Sequence, residues 1–203
     1  VFKDLYYFFT RIDLATIAMD NLSDYKKGLS ASLIRTMAEI YNDKLFDGAR
    51  LGILMDKLDK IHINHFSANA TDFIHGLPFR FQVTESTSVR QEMNTGYGLI
   101  GNNKTRIPRK IARHIRLSEA LACSSCFPSG FEPLVFPTDF DLGNSQDVKS
   151  FISGIKPFGI MDGGIVDNQC IEPILLAEQR IKSLYPDRMD NCLDLIIISD
   201  VSS

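Results

Sequence analysis

No apolar run in this chain approaches the roughly 18 residues that a membrane-spanning helix needs, so no transmembrane segment is expected. No secretory leader opens it either. Val1-Phe2-Lys3-Asp4-Leu5-Tyr6-Tyr7-Phe8-Phe9 has neither a basic region nor a small-residue cleavage site. Cysteine is scarce: Cys123, Cys126, Cys170 and Cys192 make no secreted disulfide framework in 203 residues, and reduced, cytosolic thiols are expected. An excess of one charge is missing as well. The net charge is −3 and the pI about 5.8, and no basic patch dominates, which argues against a nucleic-acid partner. An initiator Met is absent too. The chain starts in aromatic sequence, where native termini are usually polar, and it reads as a piece of a longer protein.

What is present is an ordinary globular balance, 44% hydrophobic and 23% charged. One partial domain over 1–203 is expected, mainly helical over 1–60 and mixed strand and helix over 61–203. Leu14, Ile17, Ala18 and Leu22 have helical spacing. Leu33, Ile34, Met37 and Ile40 repeat on one face of a helix over 29–41 that Ser30 can cap. A break at Lys44-Leu45-Phe46-Asp47-Gly48 precedes a helix carrying Leu51, Leu54, Met55 and Leu58. Ile61, Ile63 and Phe66 alternate with polar residues and predict a strand, followed by small polar residues over 67–72. Phe79-Arg80-Phe81-Gln82-Val83 predicts another strand.

Residues 84–107 read as a surface loop, because Gly96-x-Gly98 lacks the leading strand and third glycine of a dinucleotide fingerprint. Pro108 opens a helix with Ile111, Ile115 and Leu121 inward. Arg106, Arg109, Lys110, Arg113 and Arg116 give it a basic face, either simply solvated or set against anionic lipid. Residues 129–157 read as loop. Pro173 fits the first turn of a helix bearing Ile174, Leu175, Ile181 and Leu184, stopped by Pro186. The mostly apolar run Leu193-Asp194-Leu195-Ile196-Ile197-Ile198-Ser199 is expected to be a central parallel strand buried on both faces.

The organising stretch is Phe158-Gly159-Ile160-Met161-Asp162-Gly163-Gly164-Ile165-Val166-Asp167-Asn168. An apolar strand ends there in an acid followed by two glycines. That is a place for a catalytic carboxylate, and equally for a plain Asp-Gly turn. With the following helix and strand it makes one βαβ unit, and hence an α/β domain with a mainly parallel sheet between helix layers.

Other chemistries are weaker. Cys123-x-x-Cys126 has no second close pair for zinc and follows a helix rather than opening one, so small-residue packing is the simpler account of it. His62, His65, His75 and His114 are scattered. Gly28-Leu29-Ser30 resembles half of a nucleophile elbow, without its second glycine or a leading strand.

Three blocks, in order, resemble the patatin-like phospholipase family. The first runs from His65 to Gly76, a strand closing in Ala70-Thr71-Asp72. The second runs from Leu117 to Pro133 and includes Ala122-Cys123-Ser124-Ser125-Cys126-Phe127-Pro128, like an Ala-x-Ser-x-Ala-x-Pro segment with cysteines at small-residue positions. The third is Met161-Asp162-Gly163-Gly164 with Asn168. The match covers roughly residues 30–200. It implies a three-layer, patatin-like α/β/α fold, N-terminally incomplete, and lipid acyl-ester hydrolysis by a Ser-Asp dyad. Asp162 would be the general base and would accept the serine proton directly. Gly163 and Gly164 would let substrate or serine approach. No cofactor or metal is implied. The substrate would be a lipid or another acyl ester at a membrane surface, and the protein cytoplasmic or peripheral to a membrane. The family's glycine-rich oxyanion loop and G-x-S-x-G elbow are absent here. The chain alone is therefore expected to be inactive. The alternative is a non-catalytic module that binds lipid or a partner through the 84–107 loop and the basic helix.

Overall fold

The computed structural model describes residues 2–11, 13–23, 32–57, 60, 65–84, 100–169 and 171–184. Helices α1 (Phe2–Arg11), α2 (Leu14–Ser23), α3 (Leu33–Tyr41) and α4 (Leu51–Lys57) come first. Ser32 caps α3, its hydroxyl accepting from Arg35 N–H; Ser30 lies outside the described residues. The helix widens into a π turn over Asn42–Phe46 and ends at Asp47 and Gly48, both with positive φ. Ile34, Met37 and Ile40 are buried, as their helical spacing predicts, while Leu33 is half-buried and Ala38 is buried as well. Of the α2 positions, Ala18 is buried. From α1, Phe8 reaches the ring of Tyr41, with centroids 6.0 Å apart.

Six strands form one sheet: β1 (His65–Asp72), β2 (Leu77–Thr84), β3 (Ile100–Gly101), β4 (Arg106–Ile107), β5 (Leu134–Phe136) and β6 (Phe158–Asp162), in the order β4-β3-β2-β1-β6-β5. Every pairing is antiparallel, and the sheet curls into half a barrel. The expected mainly parallel three-layer α/β/α fold is therefore wrong. β6 is apolar because it lies between β1 and β5, buried on both sides; burial says nothing of strand direction. The run 193–199, on which the βαβ expectation rested, lies outside the described residues.

The small polar residues Ser67 to Asp72 are strand, paired residue for residue with β2, in keeping with the strand expected to close in Ala70-Thr71-Asp72. Other expectations change. Residues 129–157 hold β5 and a helix, α7 (Gln146–Gly154), between α6 (Leu117–Ser125) and β6. The helix predicted after Pro108 is two pieces, α5 (Arg109–Ala112) and α6. Its basic face is largely paired: Lys110 with Asp147, and Arg113 with Asp56. Arg116 is not on a solvated face. Its side chain is 12% exposed and bonds both Glu39 and the buried Glu119. The last described helix, α8 (Ile171–Leu184), carries Pro173 buried in its first turn. Leu175, predicted to face inward, is exposed.

Directly opposed residues of antiparallel strands share a face. Ala68, Ala70 and Asp72 of β1 therefore share one face with Phe79 and Phe81 of β2, Phe158, Ile160 and Asp162 of β6, and Leu134 and Phe136 of β5. Phe79, Phe158 and Phe136 make a chain of ring contacts on it, at 5.8 and 5.5 Å. Each fully buried Phe contributes about 1.5–3 kcal/mol. Two carboxylates stand on this apolar face, Asp162 at one end of β6 and Asp72 opposite its middle residue, Ile160. The other face holds Asn69, Thr71 and Arg80. Arg80 pairs with Glu172 of α8, and Asn69 bonds Asp167 of the turn after β6. Asn69 Nδ2 and Thr71 Oγ1 of this polar strand find partners, whereas Ser67 Oγ and Asn69 Oδ1 are buried without one among the described residues.

Candidate active site around Asp162

β6 delivers Asp162 to the sheet end, where a 3₁₀ turn over Gly163–Ile165 begins. Three hydrogen bonds fix its main chain and orient its carboxylate. Its N–H donates to the Cys126 carbonyl at 3.2 Å. Its carbonyl accepts from Thr71 Oγ1 at 2.7 Å. Its Oδ1 accepts from Gly164 N–H at 2.9 Å, so the acid caps its own turn. Asp162 is thus strand end and Asp-Gly turn at once. Its Oδ2 has no hydrogen-bond partner among the described residues.

The glycines have a local cause. A Cβ on Gly163 would stand 2.7 Å from the Asn69 carbonyl oxygen, so the turn packs directly on β1. A Cβ on Gly164 would meet Asn168 Oδ1 at 2.9 Å and Asp162 Oδ2 at 3.2 Å. Asn69 Nδ2 donates to Asp167 Oδ2 at 3.0 Å and so ties the end of the turn to the strand. Asn69 escaped the sequence reading, since a polar residue between two alanines gives no periodic signal.

Three large apolar side chains rim the turn in the open. Phe127 is 57% exposed, Ile165 48% and Val166 44%. Phe127 directly follows Cys126, whose carbonyl holds Asp162 N–H. An exposed carboxylate edge beside exposed hydrocarbon suits a substrate with an apolar body.

Cys123 and Cys126 are free and buried. Burial pushes the Cys126 thiol up to about 12, with the Glu132 and Asp162 charges adding to the effect. Cys123 is pushed up still more strongly, first by burial and then by Cys126 and Glu119. Thiols held neutral are poor nucleophiles and poor metal ligands. Packing explains them: Cys123 faces the core and Cys126 Sγ donates to the Glu132 carbonyl at 3.1 Å.

No serine hydroxyl hydrogen-bonds Asp162 among the described residues. Ser125 Oγ donates to the Leu121 carbonyl, and Ser124 stands partly exposed nearby in sequence. The half-elbow at Gly28 and Ser30, His62, Gly96, Gly98 and the cysteines at 170 and 192 lie outside the described residues. His65 opens β1, and His114 accepts a hydrogen bond from Arg50 through its main chain. His75 pairs with Asp72, which lies opposite Ile160, two residues along β6 from Asp162. Among the described residues, no group of three His, Cys, Asp or Glu is placed to hold a metal ion, and no helix is long and apolar enough to cross a membrane. No protein-family model matches this chain, and neither does any curated protein or solved structure.

Proposed function

We propose that this chain supplies the acid half of a Ser-Asp dyad in a lipid acyl hydrolase of the patatin-like kind. The observation that carries the reading is the Asp162 carboxylate: one oxygen is fixed by Gly164 N–H, and the other has no partner among the described residues. A base must be oriented and still keep a lone pair for the proton it takes. Gly164 N–H orients it, and the unpartnered oxygen receives the proton of a serine from another segment. The exposed rim of Phe127, Ile165 and Val166 gives acyl chains a surface to lie on. The serine alkoxide attacks the ester carbonyl, and the protonated Asp162 then returns the proton to the leaving alcohol.

A fluorophosphonate ester, which phosphonylates activated serines, tests the dyad. In the natural protein that carries this chain, one serine should be labelled in the wild type and escape labelling in Asp162→Asn. Equal labelling of both would remove Asp162 from the activation of that serine. The chain by itself should hydrolyse esters no faster than background.

A further inference from the structure

Asp72 is fully buried and has no part in the dyad. It is nevertheless the most heavily bonded carboxylate described. Its Oδ1 accepts from the N–H groups of Ile74 and His75, at 3.1 and 3.2 Å. Its Oδ2 meets His75 Nδ1 at 2.7 Å, Asn102 Nδ2 at 3.1 Å and Thr105 Oγ1 at 3.3 Å. One side chain therefore locks the turn after β1 to the turn between β3 and β4. Asn102 Oδ1 in its turn accepts from Lys104 and Thr105 N–H, at 2.8 and 2.7 Å, and fixes the residue that carries Lys104.

These two turns and the segment leading into β6 enclose a cleft of about 650 Å³. Lys104, Arg106 and Lys156 line it, with His75 and the rings of Phe151 and Phe158. The three cations are exposed, and none has a carboxylate partner among the described residues, whereas Arg80, Lys110, Arg113 and Arg116 are all paired. Three converging, unneutralised cations around an apolar floor repel one another, and an anion relieves that repulsion. Ile74, which lines the cleft, is 56% exposed, and Phe73 beside it is 59% exposed.

We propose that this cleft binds a phosphate group attached to an apolar body. Lys104, Arg106 and Lys156 donate to the phosphate oxygens, and the Phe151 and Phe158 side of the cleft takes the adjoining carbon skeleton. The site lies four residue steps of β6 from Asp162, about 13 Å by strand geometry. It does not depend on Asp162 being catalytic.

The test uses the full chain and two probes. One is vesicles of phosphatidylcholine with and without phosphatidic acid, read by co-sedimentation. The other is inorganic phosphate, read by calorimetry. The wild type should bind at least one of them, and the double variant K104Q/R106Q should bind it about tenfold more weakly or worse. K149Q removes an exposed cation outside the cleft and should bind as the wild type does. Vesicle binding that also falls in F73S makes the source a lipid headgroup. Phosphate binding without vesicle binding makes it a soluble phosphate ester. No binding of either probe, or losses equal in K149Q and in the cleft variants, overturns the proposal.

Discussion

Gly163 lies against the main chain of Asn69, so close that a Cβ there would stand 2.7 Å from the carbonyl oxygen and 2.8 Å from the carbonyl carbon. Backbone cannot step aside as a side chain can. Gly163→Ala should therefore lower stability by about 1–3 kcal/mol in urea unfolding, as overpacking does. Gly164→Ala meets the end of the Asn168 side chain and the Asp162 carboxylate instead, and both can rotate. It should cost less stability than Gly163→Ala while moving the acid. The reverse order of the two costs would contradict this packing.

Asp72 makes the fold acid-sensitive. Burial alone would push its carboxyl up, but hydrogen bonds from His75 and Asn102 and the His75 charge outweigh that and hold it below the usual carboxylate range. On acidification the unfolded chain takes up this proton before the folded one does. The stabilisation is complete above the unfolded value and is lost as pH falls through the lower folded value. Asp72→Asn should cost about 2–3 kcal/mol near neutrality, since an amide turns a donor toward donors. It should also flatten the acid limb of a stability-against-pH curve. A variant curve parallel to the wild type would contradict this.

Arg116 spans two acids: its Nη2 meets Glu39 Oε1 at 2.6 Å and its Nε meets Glu119 Oε1 at 3.0 Å. Glu119 also accepts from the N–H groups of Arg116 and Asp141. Arg116→Met would leave the Glu119 charge buried without its partner, at about 3–5 kcal/mol. Adding Glu119→Gln to it should recover part of that loss. Chemical denaturation of both variants checks the coupling.

The thiols give a labelling prediction. With burial holding Cys126 near 12 and Cys123 also raised, iodoacetamide at pH 8 should leave both unmodified in the folded chain and label both in urea. Peptide mapping by mass spectrometry reads the two sites separately.

Some of this was legible in the sequence and some was not. Helix α3, strand β2 and the core of β6 follow from apolar spacing, because one face of each is buried in ordinary amphipathic or fully covered fashion. Strand β1 was only half visible. Its apolar face is filled by Ala68 and Ala70, while Asn69 Nδ2 and the Asp72 carboxylate are bonded to partners 98 and 30 residues away in sequence. Such partners leave no local trace. Helix α7 did leave one: Ser145 caps it and Asp147 lies in its first turn, between proline- and glycine-containing segments that read as loop. Strand direction leaves none, so joining the apolar run at Phe158 to Met161 through a helix to the run 193–199 as one βαβ unit misled the choice of sheet. At the site, the Asp162 position as strand end and turn was legible, whereas the Asn69 clamp and the cationic cleft depend on contacts between distant segments.

The role of Asp162 is tested most directly by ester hydrolysis in the natural protein that carries this chain, wild type against Asp162→Asn. The amide oxygen can still accept from Gly164 N–H, so the melting temperature should be nearly unchanged, but the base is gone. The turnover number should fall about a thousandfold. A folded Asp162→Asn protein that hydrolyses esters at the wild-type rate would contradict the account.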